Sequence, residues 1–124
     1  PRSSASGPAA ASRIQEGAEV LESETGVETI SAAGLRRLLE SAEPPALLDV
    51  REDVEVALEP MEGALHIPLR EVVARMDELD EDRPTVVLCA AGVRSVRAIV
   101  DLREAGYLGR LISLDGGMRV WASV

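Results

Sequence analysis

Three short runs in this chain, ALLDV (46–50), TVVL (85–88) and LISL (111–114), are apolar almost throughout rather than at alternate positions. A strand of that kind must be covered on both faces, which points to a largely parallel sheet between layers of helix. The segments around the runs have helical spacing instead. AAGLRRLLESAE (32–43) follows Ser31, a capping residue, with Ile30 and Leu35 placed as a hydrophobic staple, and Pro44-Pro45 ends it. LREVVARMDEL (69–79) has Leu69, Val72, Val73, Met76 and Leu79 at helical spacing. SVRAIVDLREAG (95–106) turns Val96, Ile99, Val100 and Leu102 inward and stops at Gly106. A helical turn at 55–58, a short strand at 64–67, a turn at Asp115-Gly116-Gly117 and a last helix in MRVWASV complete the expectation. Strand and helix alternate, so the predicted class is α/β.

The 124 residues suffice for one such domain. Aromatics make up 2% and phenylalanine is absent, so Leu, Val, Ile and Ala must build the core. Residues 1–28 are poor in large apolar side chains and are expected to be a flexible linker or tail, with the domain at 29–124. A start on Pro1 rather than methionine is consistent with an excised piece of a longer protein. All basic residues are arginine and the net charge is -9, which argues against nucleic acid and anionic membranes as partners. No stretch approaches the roughly 20 apolar residues that cross a bilayer. With one cysteine there is no internal disulfide and no CxxC metal site, and a reducing, cytoplasmic setting is expected.

That cysteine sits in VVLCAAGVRS (86–95), at the carboxyl end of a predicted strand and just before a helix. Ligands of open α/β sheets gather at that edge. Gly92 can take conformations closed to other residues, so the loop can curl and point consecutive backbone N–H groups at one spot, where Arg94 could add a full charge. A helix N-terminus adds partial positive charge there. A thiol above such an anion cradle ionises readily, and a persulfide anion is held equally well. The bland alternative is a small apolar cysteine in a sheet core.

Five segments in order, LLDVRE (47–52), GALHIPL (63–69), VVLCAAGVRS (86–95), LREAGY (102–107) and LDGGMRVW (114–121), resemble the signature segments of a rhodanese-like domain. The resemblance runs from about Ile30 to Trp121. It implies a rhodanese-like α/β/α sandwich with a five-stranded, mainly parallel sheet, and sulfurtransfer without a cofactor or metal. It makes Cys89 the nucleophile and persulfide carrier, with Ala90 to Ser95 as the binding loop and Arg94 bracing that loop from the domain side. Asp49 and Arg51 match a family pair near the loop, in a supporting or purely structural role. Gly116, Gly117 and Trp121 match a C-terminal turn and packing anchor. His66 matches a structural histidine, against the alternative of a base that activates the thiol.

Phosphatases of the same fold resemble Cys-x5-Arg, whereas Cys89 and Arg94 are spaced Cys-x4-Arg, a ring suited to one sulfur atom. A non-catalytic rhodanese-like interaction module is the rival reading, and the presence of Cys89 argues against it. Ala90, Ala91 and Val93 bring no charge to the loop, which favours a protein persulfide, such as that of a cysteine desulfurase, over thiosulfate as donor. The Ser/Ala/Pro/Glu-rich lead and ALEPMEGALHIPL are similar to proteins in which an adenylyltransferase for ubiquitin-like sulfur carriers precedes a rhodanese domain. That likeness implies a sulfur-carrier protein as acceptor, for molybdopterin, thiamine or tRNA thiolation.

Overall fold

The computed structural model describes residues 20–23 and 26–123. In chain order these form β1 (Val20–Glu22), β2 (Glu28–Ile30), α1 (Ala32–Leu39), β3 (Ala46–Asp49), α2 (Asp53–Leu58) and β4 (Leu65–His66). Two 3-10 turns (Leu69–Glu71 and Met76–Glu78) then lead to β5 (Thr85–Leu88), α3 (Val93–Glu104), β6 (Leu111–Leu114) and α4 (Gly117–Trp121). The strands form one sheet in the order β1-β2-β6-β5-β3-β4.

The apolar runs became its centre because each can bury both faces. In β3 and β5, Leu47, Val86 and Leu88 face one core with Ile112 of β6, while Leu48 and Val87 face the other. Helices α1 and α4 cover the first core through Leu35, Leu38 and Met118. Helix α3 and the 3-10 segment cover the second through Ala98, Ile99, Leu102 and Val72. Each fully buried Leu, Ile or Val contributes about 1.5–3 kcal/mol, so these side chains dominate the choice of fold. The α/β/α sandwich matches the class that the sequence implies.

The sheet departs from the expected five strands. Five are mutually parallel, and β1 adds a sixth, antiparallel to β2 with Val20 opposite Ile30. The N–H of Ser23 donates to the Val27 carbonyl at 2.9 Å and that of Gly26 to the Ser23 carbonyl at 3.0 Å, closing the hairpin. Arg110 then clamps Glu28 through two bonds of 2.9 and 2.7 Å. Two strands therefore draw on the segment 1–28 expected as linker, and the expected boundary at 29 falls inside β2. The tail expected at 1–12 lies outside the described residues.

The local start signals hold for α1. Ser31 Oγ accepts from the Gly34 N–H at 3.0 Å, and Ile30 and Leu35 are both fully buried. The helix ends at Leu39 rather than at 43, where Glu40 and Ser41 donate to carbonyls three residues back. Segment 69–79 is not the α-helix its spacing predicts. The Leu69 N–H is tied to the Val50 carbonyl at 3.1 Å, and most later bonds run three residues back. That tighter repeat sets i and i+3 on one side. Leu69 with Val72 and Met76 with Leu79 pack on the core, the i→i−4 bond of Arg75 lying between the two turns, while Val73 stays exposed.

Candidate active site

Strand β5 ends at Leu88 and delivers Cys89 to the carboxyl edge of the sheet, with its side chain 1% exposed. The chain then doubles back through Gly92, whose φ of +95° is a left-handed conformation, and enters α3 at Val93, two residues before the expected start. A side chain at residue 92 would also press on the Gly116 nitrogen at 3.1 Å, so glycine is required twice over. The backbone N–H groups of Gly92 and Ser95 point at Cys89 Sγ, at 3.1 and 3.3 Å. Ser95 Oγ lies 3.7 Å from the same sulfur. Burial pushes the thiol up. The N–H and hydroxyl of Ser95 and the amides of Ala91 and Gly92 pull it down further, and the net direction is below the ordinary thiol value.

The loop is turned this way by the last helix. The N–H groups of Met118 and Arg119 donate to the carbonyls of Cys89 and Ala90, at 2.8 and 3.0 Å. Holding those carbonyls outward leaves the following amides facing the sulfur. The helix approaches so closely that a side chain at Gly117 would sit 2.3 Å from the Cys89 carbonyl oxygen. The LDGGMRVW segment thus shapes the loop as well as packing beneath it. Trp121 anchors its far end, with the Arg36 guanidinium 4.2 Å over the ring.

The other residues singled out by sequence stand apart from the sulfur. Arg94 makes two bonds of 2.7 and 2.8 Å to Glu55 of α2. The Arg94 guanidinium holds the Glu55 carboxyl down to about 2. Asp49 and Arg51 form a buried pair at 2.8 Å. The same Arg51 nitrogen donates to the Glu59 carbonyl at 2.7 Å, closing the C-terminal end of α2. The two side chains are engaged with each other, and Arg51 also with the carbonyls of Glu55 and Glu59. The His66 Nε2–H donates to the Arg51 carbonyl at 2.7 Å, and no described hydrogen bond joins His66 to Cys89. The side chain of Val93 is 74% exposed at the mouth of the loop. Among the described residues no cluster of His, Cys, Asp and Glu could hold a metal ion.

Sequence reasoning did not single out Glu55, which lies 39 positions from its arginine. Nor did it single out Ser113, which reads as one polar letter in an apolar strand. Its hydroxyl is fully buried 2.7 Å from that of Ser95.

The chain has relatives among known proteins. A family model described as "Rhodanese-like domain" matches residues 31–124. A sulfurtransferase of Allochromatium vinosum is 35% identical over 96 residues, covering 77% of this chain and 89% of that protein. An adenylyltransferase and sulfurtransferase of Sus scrofa is 33% identical over 115 residues, 77% of this chain but 25% of that longer protein. Among solved structures, a rhodanese-like domain protein from Staphylococcus aureus superposes with a TM-score of 0.69 at 27% identity, covering 75% of this chain and 89% of that one. The cysteine loop and the helix that shapes it sit on a shared fold, and this chain belongs to the rhodanese-like domain family.

Proposed function

We propose that the chain is a sulfurtransferase that carries sulfane sulfur as a persulfide on Cys89. The observation that carries this reading is the pair of backbone N–H groups on Cys89 Sγ, at 3.1 and 3.3 Å, within a loop whose carbonyls are held outward. Such a cradle favours negative sulfur without a base. The thiolate attacks the outer sulfur of a donor persulfide. A Cys89 S–S bond forms, the donor S–S bond breaks, and the donor leaves as its thiolate. A nucleophilic acceptor then attacks the outer sulfur, and the electron pair of the Cys89 S–S bond returns to Sγ.

A protein persulfide is the favoured donor over thiosulfate. Ala90, Ala91 and Val93 offer no charge, and Arg94 is engaged with Glu55. A dianion would find little to hold it. A ubiquitin-like sulfur carrier, or a fused adenylyltransferase that activates one, is the proposed acceptor side, supported by the relative named for both activities. A reducing, cytoplasmic compartment suits the lone free thiol.

The test is intact mass spectrometry after incubation with thiosulfate or with a cysteine-desulfurase persulfide, beside Cys89→Ser. The expected result is a gain of one sulfur on the parent, faster from the protein donor, removed by dithiothreitol or cyanide and absent in the variant. Folded protein with a free thiol that gains no sulfur from either donor would make the domain an interaction module instead.

A further inference from the structure

Ser95 and Ser113 place two hydroxyls in a row behind the sulfur, against a core built mainly of Val, Leu and Ile. Ser113 faces Val87 of β5 across the parallel ladder and is fully buried, as is Ser95. Their oxygens are 2.7 Å apart, and Ser95 Oγ is 3.7 Å from Cys89 Sγ. Each hydroxyl has one proton to give, so the sulfur at the end of the row sets the direction of both. A protonated thiol donates to Ser95, which then donates to Ser113. A thiolate can only accept. Ser95 then serves the sulfur only by donating to it, which leaves its own oxygen to accept from Ser113.

We infer that Ser113 is a positioning residue for the sulfur: by donating to Ser95 it keeps the Ser95 hydroxyl aimed at Cys89 whenever that sulfur bears negative charge. This deepens the sulfur-carrier reading and rests on it. It applies before attack, when the thiolate is the nucleophile. It applies again when an acceptor takes the outer sulfur, because the bonding pair then returns to Sγ. Without Ser113, Ser95 can turn its hydroxyl to the carbonyl one turn back, as helix serines commonly do, and the sulfur loses a donor. Linked hydroxyls also polarise one another, which strengthens the bond that reaches the sulfur.

The charged groups on the packed elements are Arg94, Arg97, Asp101, Arg103 and Glu104 of α3, Asp53 and Glu55 of α2, Asp49 at the end of β3 with Arg51 after it, and Asp115 and Arg119 around the start of α4. Arg94 pairs with Glu55, Arg97 with Asp101, and Asp49 with Arg51. No described hydrogen bond links any of them to Cys89. A shift on altering Ser113 therefore reports the hydroxyl row rather than a lost charge.

The experiment is the rate of Cys89 alkylation by iodoacetamide against pH, on the full chain, for the parent, Ser113→Ala, Ser95→Ala and the double variant. Ser113→Thr and Ser113→Val form a second pair, equal in shape and differing in the hydroxyl. The expected result is an inflection raised by about half a pH unit in Ser113→Ala, roughly threefold less thiolate below it. Threonine restores the parent inflection and valine does not. On the Ser95→Ala background, Ser113→Ala adds nothing, because it acts through Ser95. An inflection unmoved in Ser113→Ala, or the same shift on both backgrounds, overturns the inference. If the alanine variant does not fold, equal inflections for threonine and valine overturn it. A parent that takes up no sulfur yet shows the expected shifts sinks the sulfur-carrier reading and spares the hydroxyl row.

Discussion

Alanine at Gly117 is the perturbation that most directly tests how the loop is held. Its Cβ would lie 2.3 Å from the Cys89 carbonyl oxygen and 2.8 Å from the Ala90 carbonyl carbon. Both are backbone atoms and cannot swing aside, so α4 must move away from the loop. The φ of +60° adds strain of roughly 1–2 kcal/mol for any residue with a Cβ. Moving α4 also breaks the Met118 and Arg119 bonds to the loop, each contributing about 0.5–1.5 kcal/mol. The sum is a loss of about 2–5 kcal/mol, or roughly 8–20 °C in Tm at about 4 °C per kcal/mol for a chain of this size. Gly63 is the control, since its φ of +83° carries the same kind of strain but a Cβ there meets nothing within 4 Å. Gly63→Ala is expected to lose only the strain and to leave Cys89 unchanged. Thermal scans and the pH profile of Cys89 alkylation decide the matter. Gly117→Ala should melt well below Gly63→Ala, with its thiol returned toward the ordinary range. Equal melting of the two, with a parental alkylation profile in Gly117→Ala, refutes the claim that α4 shapes the loop.

Other consequences can be checked with the same protein. Glu55 sits at about 2, below its ordinary 4.5, so its pairing with Arg94 stabilises the fold above pH 4.5 and is lost as pH falls toward 2. Urea midpoints of the parent and Glu55→Gln should therefore differ at pH 7 and converge near pH 2. Arg51→Met leaves Asp49 buried without its partner and is expected to cost about 3–5 kcal/mol in urea unfolding, while the inflection for Cys89 alkylation stays at the parental pH. His66→Gln should leave the rate of sulfur uptake, and its pH dependence, within about twofold of the parent; a tenfold loss would restore the histidine as a base.

What the sequence made legible was set by short-range chemistry. Ser31 beside a helical segment, apolar runs of four residues, and a cysteine followed by Gly92 all signal their structure within a few positions. The cysteine loop was readable for that reason. Strand β1 was not, because VLE is only three residues long and held at a sheet edge by its pairing with β2, while Arg110 secures β2 from 82 positions away. The helix predicted over 69–79 is instead two 3-10 turns, and the bond from the Leu69 N–H to the Val50 carbonyl, 19 positions away, is not visible in local apolar spacing. Glu55 and Ser113 owe their places to contacts across 39 and 18 positions, for which a single sequence carries no signal.

Because the carbonyls of Cys89 and Ala90 are gripped by amides some thirty positions later in the chain, the thiol's reactivity is a gauge of local unfolding. Helix α4 is only five residues long, and short helices open more readily than sheet centres. Each opening releases the loop carbonyls while β5 and β6 remain paired, and during that interval Cys89 is an ordinary buried thiol. The fraction of molecules whose loop amides face the sulfur thus follows the docking equilibrium of α4, and a weakly destabilising change along α4 lowers that fraction before the domain itself unfolds.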